Sequence, residues 1–213
     1  MKVVKAVRDL YNSAVSRYQR LEGEVKELLK PRVEEHDWFF LSRVKQLESF
    51  ALKLETGRVP DPLNLEDFYA CTIVVPTMVK IKVAENLVRK LFDLSYRRPK
   101  NDAITHKAAS SFVFDDLRLY VARRPPASGL HPDLDGLVFE VQVKTILQHA
   151  WSVATHDLIY KSNSVSWPRE RIAFQVKAML EHAEVAIAEA DQLAVASAVA
   201  RQDSQTSTIQ QLI

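Results

Sequence analysis

The sequence predicts an α/β (α+β) fold: one small mixed β-sheet with helices packed on it, and long helices at both ends of the chain. Three observations lead there. First, residues 139–144 alternate strictly, with Phe139, Val141 and Val143 on one side and Glu140, Gln142 and Lys144 on the other. That is the period of a strand. From Ile146 the apolar period lengthens to about 3.6, so the strand feeds directly into a helix. Second, the apolar run ACTIVV at 70–75 is followed by a helical pattern. Third, both ends of the chain repeat apolar residues at helical spacing and carry no strand pattern.

The chain has 213 residues, 47% hydrophobic and 26% charged, an ordinary globular composition. That length suits one large domain, or one domain with helical additions. Only 4 glycines leave little material for long flexible linkers. The single cysteine, Cys71, excludes an internal disulfide and a multi-cysteine zinc site, and its apolar setting predicts a core residue. No run reaches the roughly 18 apolar residues of a membrane helix. The start, MKVVKAVRDLYNSAV, lacks the continuous apolar centre of a signal peptide. A cytoplasmic protein without a membrane partner is the expectation. The net charge of +2 does not imply a broad nucleic-acid surface, so anion binding must come from local clusters.

In chain order, Val4, Val7, Leu10, Tyr11, Ala14, Val15, Tyr18, Leu21, Val25 and Leu28 predict a long amphipathic helix ending before Pro31. A second helix is expected from about Val33 to Glu55, stopping at Gly57 and burying Val44, Leu47, Phe50, Ala51 and Leu54. VPDPLN at 59–64 is a loop. Asp67–Val75 leads into a buried strand. Lys80–Phe92 is a helix. Residues 93–111 are polar and irregular, apart from a short strand near Leu94–Arg97. Leu117–Ala122 is a strand, and residues 123–136 are an excursion back to the strand at Val138. The helix after it should bury Ile146, Leu147, Ala150, Val153, Ala154 and Leu158. A break at NSVSWP precedes an Ala-rich helix from Arg169 to about Val199, and the tail is polar. There is no internal repeat.

Several groups could carry chemistry. Lys45, Ser49 and Lys53 lie at i, i+4 and i+8 and are expected on one helix face, with Arg43 at its end. Three cations and a hydroxyl suit a polyphosphate, although a solvated face with Glu48 and Glu55 as partners explains the same spacing. Asp67 before one strand and Glu140 within another could together hold Mg²⁺, which takes one or two carboxylates and completes its shell with water and phosphate. An N-capping Asp and a structural Glu–Lys pair is the alternative. His149 and His156 share a helix face at a spacing unusual for zinc, and are read as structural or substrate-contacting. Trp151 and Trp167 are read as packing anchors, and Asp115–Asp116 chiefly as turn chemistry.

Taken together, these pieces resemble the synthetase domain of RelA/SpoT-type proteins, particularly the single-domain small alarmone synthetases, over roughly Trp38 to Lys161. The family's ATP-side motif R-x-K-x-x-x-S-x-x-x-K is met by Arg43, Lys45, Ser49 and Lys53. Its magnesium aspartate is met by Asp67. Its strand E-I/V-Q-I/V-R/K-T is met by Glu140, Gln142, Lys144 and Thr145, and the following helix by Trp151, His156, Tyr160 and Lys161. The sequence also departs from the family. The Arg five residues after the aspartate is Thr72. The acceptor loop N-G-Y-x-S-x-H is replaced, so that Val113 stands at the Gly, Phe114 at the Tyr, Asp116 at the Ser and Arg118 at the His. The donor half is kept and the acceptor half is rebuilt.

The resemblance implies a nucleotidyltransferase-like fold and Mg²⁺-dependent transfer of the β,γ-pyrophosphate of ATP to a 3′-hydroxyl. The acceptor it implies is GDP or GTP. Asp67 and Glu140 would hold Mg²⁺, Glu140 would also aid deprotonation, and Arg43, Lys45, Ser49 and Lys53 would bind ATP. Gln142 and His156 would orient groups on the acceptor side, Lys144 would offset charge there, and Phe114 and Arg118 would meet the acceptor. It further implies a homo-oligomer and, since His36-Asp37 stands alone, no hydrolase site. The expected divisions are 1–37, a helical segment; 38–165, the synthetase core; 166–200, a helix; and 201–213, a tail. Two alternatives stay open. One is the same chemistry on an adenine nucleotide or, against the near-neutral charge, on the 3′ end of tRNA. The other is an inactive nucleotide-binding regulatory module.

Overall fold

The computed structural model describes residues 3–57, 61–101, 116–159 and 166–195, without the side chains of 156–159 and 191–195. In order the elements are α1 (Lys5–Glu34), β1 (Phe39–Val44), α2 (Leu47–Glu55), β2 (Tyr69–Val75), α3 (Met78–Leu91), β3 (Phe92–Arg98), β4 (Leu117–Arg123), β5 (Val138–Thr145), α4 (Ile146–Ile159) and α5 (Trp167–Val195). The strands form one mixed sheet in the order β1-β2-β5-β4-β3. Only the central pair β2–β5 is parallel; the other neighbours are antiparallel. The mixed α/β architecture read from the sequence is therefore the observed one.

One face of the sheet makes the core. Tyr69, Cys71, Ile73 and Val75 of β2 meet Phe139, Val141 and Val143 of β5 and Leu119 and Val121 of β4, all buried. Against this cluster α1 lays Ala14, Tyr18, Leu21, Val25, Leu29 and Val33, spaced by three or four residues so that they form one stripe. Ala84 and Val88 of α3 join it. At one end, Phe68 is fully buried and stacks on Tyr18 at 4.4 Å, with Tyr11 and Phe50 at 5.5 and 5.4 Å. These aromatic contacts hold the chain next to Asp67.

The structure corrects four expectations. There is no single helix from Val33 to Glu55: α1 ends at Glu34, β1 occupies Phe39–Val44, and only α2 is helical. Strand β1 lies at the sheet's edge, with alternating exposed and half-buried residues, so it has no deeply apolar face to reveal it. Helix α1 runs through Pro31 rather than stopping before it. The proline sits in the last turn, and burial of Val33 beyond it outweighs one lost backbone hydrogen bond. In α4, Ile146 and Val153 are exposed, while Gln148, Trp151 and Thr155 are buried. The reason is that α5 presents Lys177 and Glu184 inward, so this interface is polar. Finally, Trp167 is no packing anchor, being 72% exposed. Trp151 is one: it is buried, and its Nε1 donates to the Ala173 carbonyl at 2.9 Å.

Candidate active site

The opposite face of the sheet carries the polar groups in rows. Residues directly opposite on neighbouring strands share a face. One row therefore runs Arg43, Ala70, Glu140, Tyr120, Tyr96 across all five strands, and the next runs Leu41, Thr72, Gln142, Arg118, Arg98. The small side chains of Ala70 and Thr72 leave space in the middle of both rows. A cleft of about 640 Å³ opens there, lined among others by Arg43, Asp67, Glu140, Gln142, Lys144 and His149. A second cleft of about 530 Å³ adjoins it, lined among others by Lys53, Glu66, Arg98 and Tyr120. Asp67, Arg118 and Glu140 line both.

Asp67 sits just ahead of β2, fixed by the aromatic packing of Phe68. The turn between β1 and α2 is pinned beside it. The Lys45 amide donates to the Phe68 carbonyl at 2.7 Å, and the Tyr11 hydroxyl donates to the Lys45 carbonyl at 3.0 Å. That pinning aims two cations at one carboxylate oxygen: Lys45 Nζ lies 3.1 Å and Lys53 Nζ 2.7 Å from Asp67 Oδ2. Burial works against the charged carboxylate, but the two lysines outweigh it and hold the Asp67 carboxyl below its usual range. Its other oxygen, Oδ1, is buried and has no hydrogen-bond partner. An orphaned carboxylate oxygen is costly unless something binds there.

Glu140 is 4% exposed and points into the clefts from mid-strand. The Tyr120 hydroxyl donates to its Oε2 at 2.8 Å, and the Gln142 amide donates to its Oε1. Arg118 Nη1 stands 3.7 Å from Oε2, while its Nε donates to Asp116 Oδ1 at 2.8 Å. Burial opposes the Arg118 charge, but Asp116 and Glu140 more than compensate and keep the guanidinium protonated. Lys144 Nζ lies 3.6 Å from Asp116 Oδ2. Burial leads in lowering the Lys144 ammonium below its usual range, although Asp116 pulls the other way. His149 is lowered first by burial and then by Lys144. Among the described residues no three His, Cys, Asp or Glu side chains converge as a metal site. The donor chemistry is instead two carboxylates facing shared clefts, one with an empty oxygen. This set fits a small, hard divalent cation that takes the rest of its shell from phosphate and water.

Set against the sequence, the structure brings Arg43, Lys45, Lys53, Asp67, Arg118, Glu140, Gln142 and Lys144 around these clefts. The four cation-and-hydroxyl positions do not share one helix face. Arg43 belongs to β1 and Lys45 to the turn, so only Ser49 and Lys53 lie on α2. Ser49 is exposed there and lines neither cleft. Phe114 and the His156 side chain lie outside the described residues. Asp116 is not merely turn chemistry: it is buried and holds Arg118. Tyr96 and Tyr120, which also line this face, were not singled out from the sequence. The alternation Arg118–Leu119–Tyr120–Val121 already placed Arg118 and Tyr120 on one face.

Comparison with known proteins follows the same lines. A family model described as "Region found in RelA / SpoT proteins" matches residues 42–165. No curated protein matches the sequence. The fold is similar to that of small alarmone synthetase 1 from Bacillus subtilis, at 19% identity and a TM-score of 0.71, over 87% of this chain and 98% of that one. A structure of the same synthetase bound to its product pppGpp is matched at 19% identity and a TM-score of 0.69, over 90% and 100%. A GTP pyrophosphokinase family protein from Streptococcus pneumoniae is matched at 17% identity and a TM-score of 0.63, over 88% and 93%.

Proposed function

The chain belongs to the RelA/SpoT family, and on that premise we propose that it is a Mg²⁺-dependent nucleotide pyrophosphokinase. It moves the β,γ-pyrophosphate of ATP to the 3′-hydroxyl of GDP or GTP, making alarmones in the cytoplasm, with residues 38–165 as the transfer unit. The observation that carries this reading is the pair of carboxylates, Asp67 and Glu140, shared by two adjoining clefts with lysines set on one of them. A transfer between two nucleotides needs two pockets meeting at one charged centre.

In this reading the acceptor oxygen bonds to the β-phosphorus, and the bond from that phosphorus to the oxygen bridging the α-phosphate breaks. AMP leaves with the electron pair. Asp67 and Glu140 would hold Mg²⁺, whose bound charge offsets that developing on the phosphate oxygens. Arg43, Lys45 and Lys53 grip and orient the triphosphate, and such positioning supplies most of the catalysis in related transfers. The hydroxyl proton passes toward the Glu140 carboxylate. Gln142 holds that carboxylate, and Lys144 offsets charge on the acceptor side.

A second reading keeps the chemistry and changes the acceptor to an adenine nucleotide. It is favoured by the rebuilt acceptor side, where buried Asp116 and half-exposed Arg118 form an ion pair at positions the resemblance gives to Ser and His. Transfer to the 3′ end of tRNA is disfavoured by the net charge of +2. Incubation with γ-labelled ATP, Mg²⁺ and, separately, GDP, GTP, ADP, AMP or tRNA tests both readings. Label on a guanine nucleotide supports the first, and label on ADP or AMP the second. No labelled product with any acceptor contradicts both.

The chain forms a homo-oligomer in this account. On α5, Ile172, Val176, Met179 and Ile187 lie on one exposed stripe, while Lys177 and Glu184 face inward. An outward apolar stripe on a helix of this length is the kind of surface a second copy covers. No helix among the described residues is long and apolar enough to cross a membrane.

A further inference from the structure

Glu140 has a long side chain with several staggered conformers, and an arginine stands close by. Left to itself, the carboxylate would gain most by swinging onto Arg118, 3.7 Å away, to form a two-pronged pair. That pair would occupy its lone pairs and cancel its charge. The structure shows another arrangement. Oε2 accepts from the Tyr120 hydroxyl at 2.8 Å, and the Arg118 Nε is engaged by Asp116 at 2.8 Å. A phenol donates a hydrogen bond without adding charge, so it fixes the carboxylate and leaves its negative charge for the reaction.

Tyr120 is itself held firmly. It is 5% exposed. Its ring stacks on Tyr96 with centroids 4.2 Å apart and planes 11° from parallel. The Tyr96 hydroxyl donates to Glu66 Oε2 at 2.6 Å. The Arg98 guanidinium lies over both rings, 5.5 Å from the Tyr96 centroid and 5.4 Å from that of Tyr120. Three consecutive strands, β3, β4 and β5, thus brace one carboxylate in its row.

We propose that Tyr120 is a positioning residue for the transfer: its hydroxyl fixes Glu140 in the working conformer, at ion-pair distance from Arg118 but not hydrogen-bonded to it, with Tyr96 and Arg98 as the brace. This rests on the functional reading above. Tyr120→Phe removes only the hydroxyl and keeps the ring stack, so the protein should still fold cooperatively, with thermal denaturation lowered by no more than a few degrees. The expected result is a fall in kcat of about 10- to 30-fold, the scale of one hydrogen bond to a charged group, with KM for ATP within about twofold. Tyr96→Phe, which releases only the Glu66 bond one step further out in the same brace, should lower kcat by less than Tyr120→Phe. Titration of the ATP-loaded protein with Mn²⁺, followed by electron paramagnetic resonance, should show several-fold weaker binding in Tyr120→Phe. Equal kcat in Tyr120→Phe and wild type, or an equal loss in Tyr96→Phe, overturns the proposal while the functional reading stands. A wild-type protein that transfers to no acceptor overturns both.

Discussion

Replacing Asp67 by Asn tests how the site is held and how it works in one variant. Asp67 Oδ2 takes two lysines, at 3.1 and 2.7 Å, with side-chain exposures of 24% for the aspartate, 12% for Lys45 and 38% for Lys53. An exposed pair contributes about 0–1 kcal/mol, and removing one partner of a buried pair costs about 3–5 kcal/mol. This half-buried triad lies between, and solvent screening of Lys53 keeps it toward the lower end. Asp67→Asn should therefore cost about 1–2 kcal/mol. With an unfolding entropy of about 2.1 cal/mol/K per residue, that is a Tm lower by about 2–5 °C. The loss must also depend on pH. The folded-state carboxyl is depressed by the lysines, so its contribution is complete above the unfolded value of about 3.9 and disappears as pH falls through the lower folded value. Calorimetry of both proteins from neutral to acid pH should show the gap closing below about pH 4. Transfer activity should fall by about a thousandfold or more at neutral pH, since the residue would be a metal ligand. A Tm gap that is absent at neutral pH, or that persists unchanged into acid, would refute the electrostatic reasoning. Activity within tenfold of wild type would refute the assigned role.

Other consequences are separable. Thr145 and Gln148 cap α4 reciprocally: the Gln148 amide donates to Thr145 Oγ1 at 3.0 Å and the Thr145 amide to Gln148 Oε1 at 3.1 Å. Thr145→Val should lower stability in urea by about 1–2 kcal/mol; an unchanged midpoint would show that the cap is idle. Cys71 is buried, and burial pushes its thiol up to about 12. It should react with a thiol reagent at pH 8 only when the protein unfolds, and rapid native labelling would contradict its place in the core. Met179→Glu, on the exposed stripe of α5, should reduce the mass measured by light scattering to that of a smaller assembly. A wild type that is already monomeric, or a variant of unchanged mass, removes α5 as the interface.

The sequence made some of this legible and hid the rest for physical reasons. Strand β5 announced itself because residues 139–144 alternate apolar and polar without a break, and the carboxylate it carries lines both clefts. Strand β2 was visible as a continuous apolar run, as expected for a central strand nearly all of whose residues are buried. Strand β1 was not, because an edge strand with exposed Phe39 and Leu41 lacks a buried face, and helical spacing fitted its residues by coincidence. The inward polar face of α5 was hidden because Lys177 and Glu184 are buried while Ile172, Val176, Met179 and Ile187 point outward, the reverse of the usual helix pattern. Tyr120 and Asp116 were legible as positions but not as partners. Alternation can place Tyr120 on the polar face, yet only strand register brings it opposite Glu140.

Pyrophosphoryl transfer is distinguished from every neighbouring reaction by its products. Phosphoryl transfer or simple hydrolysis from ATP yields ADP, whereas attack at the β-phosphorus yields AMP. Purified protein with ATP, Mg²⁺ and the acceptor identified by labelling should release AMP in equal molar amount to a product carrying two added phosphates at its 3′-oxygen. Quantitative phosphorus NMR reads both at once, and Glu140→Gln should abolish both together. ADP in place of AMP, or AMP and free pyrophosphate without the modified acceptor, would contradict the account.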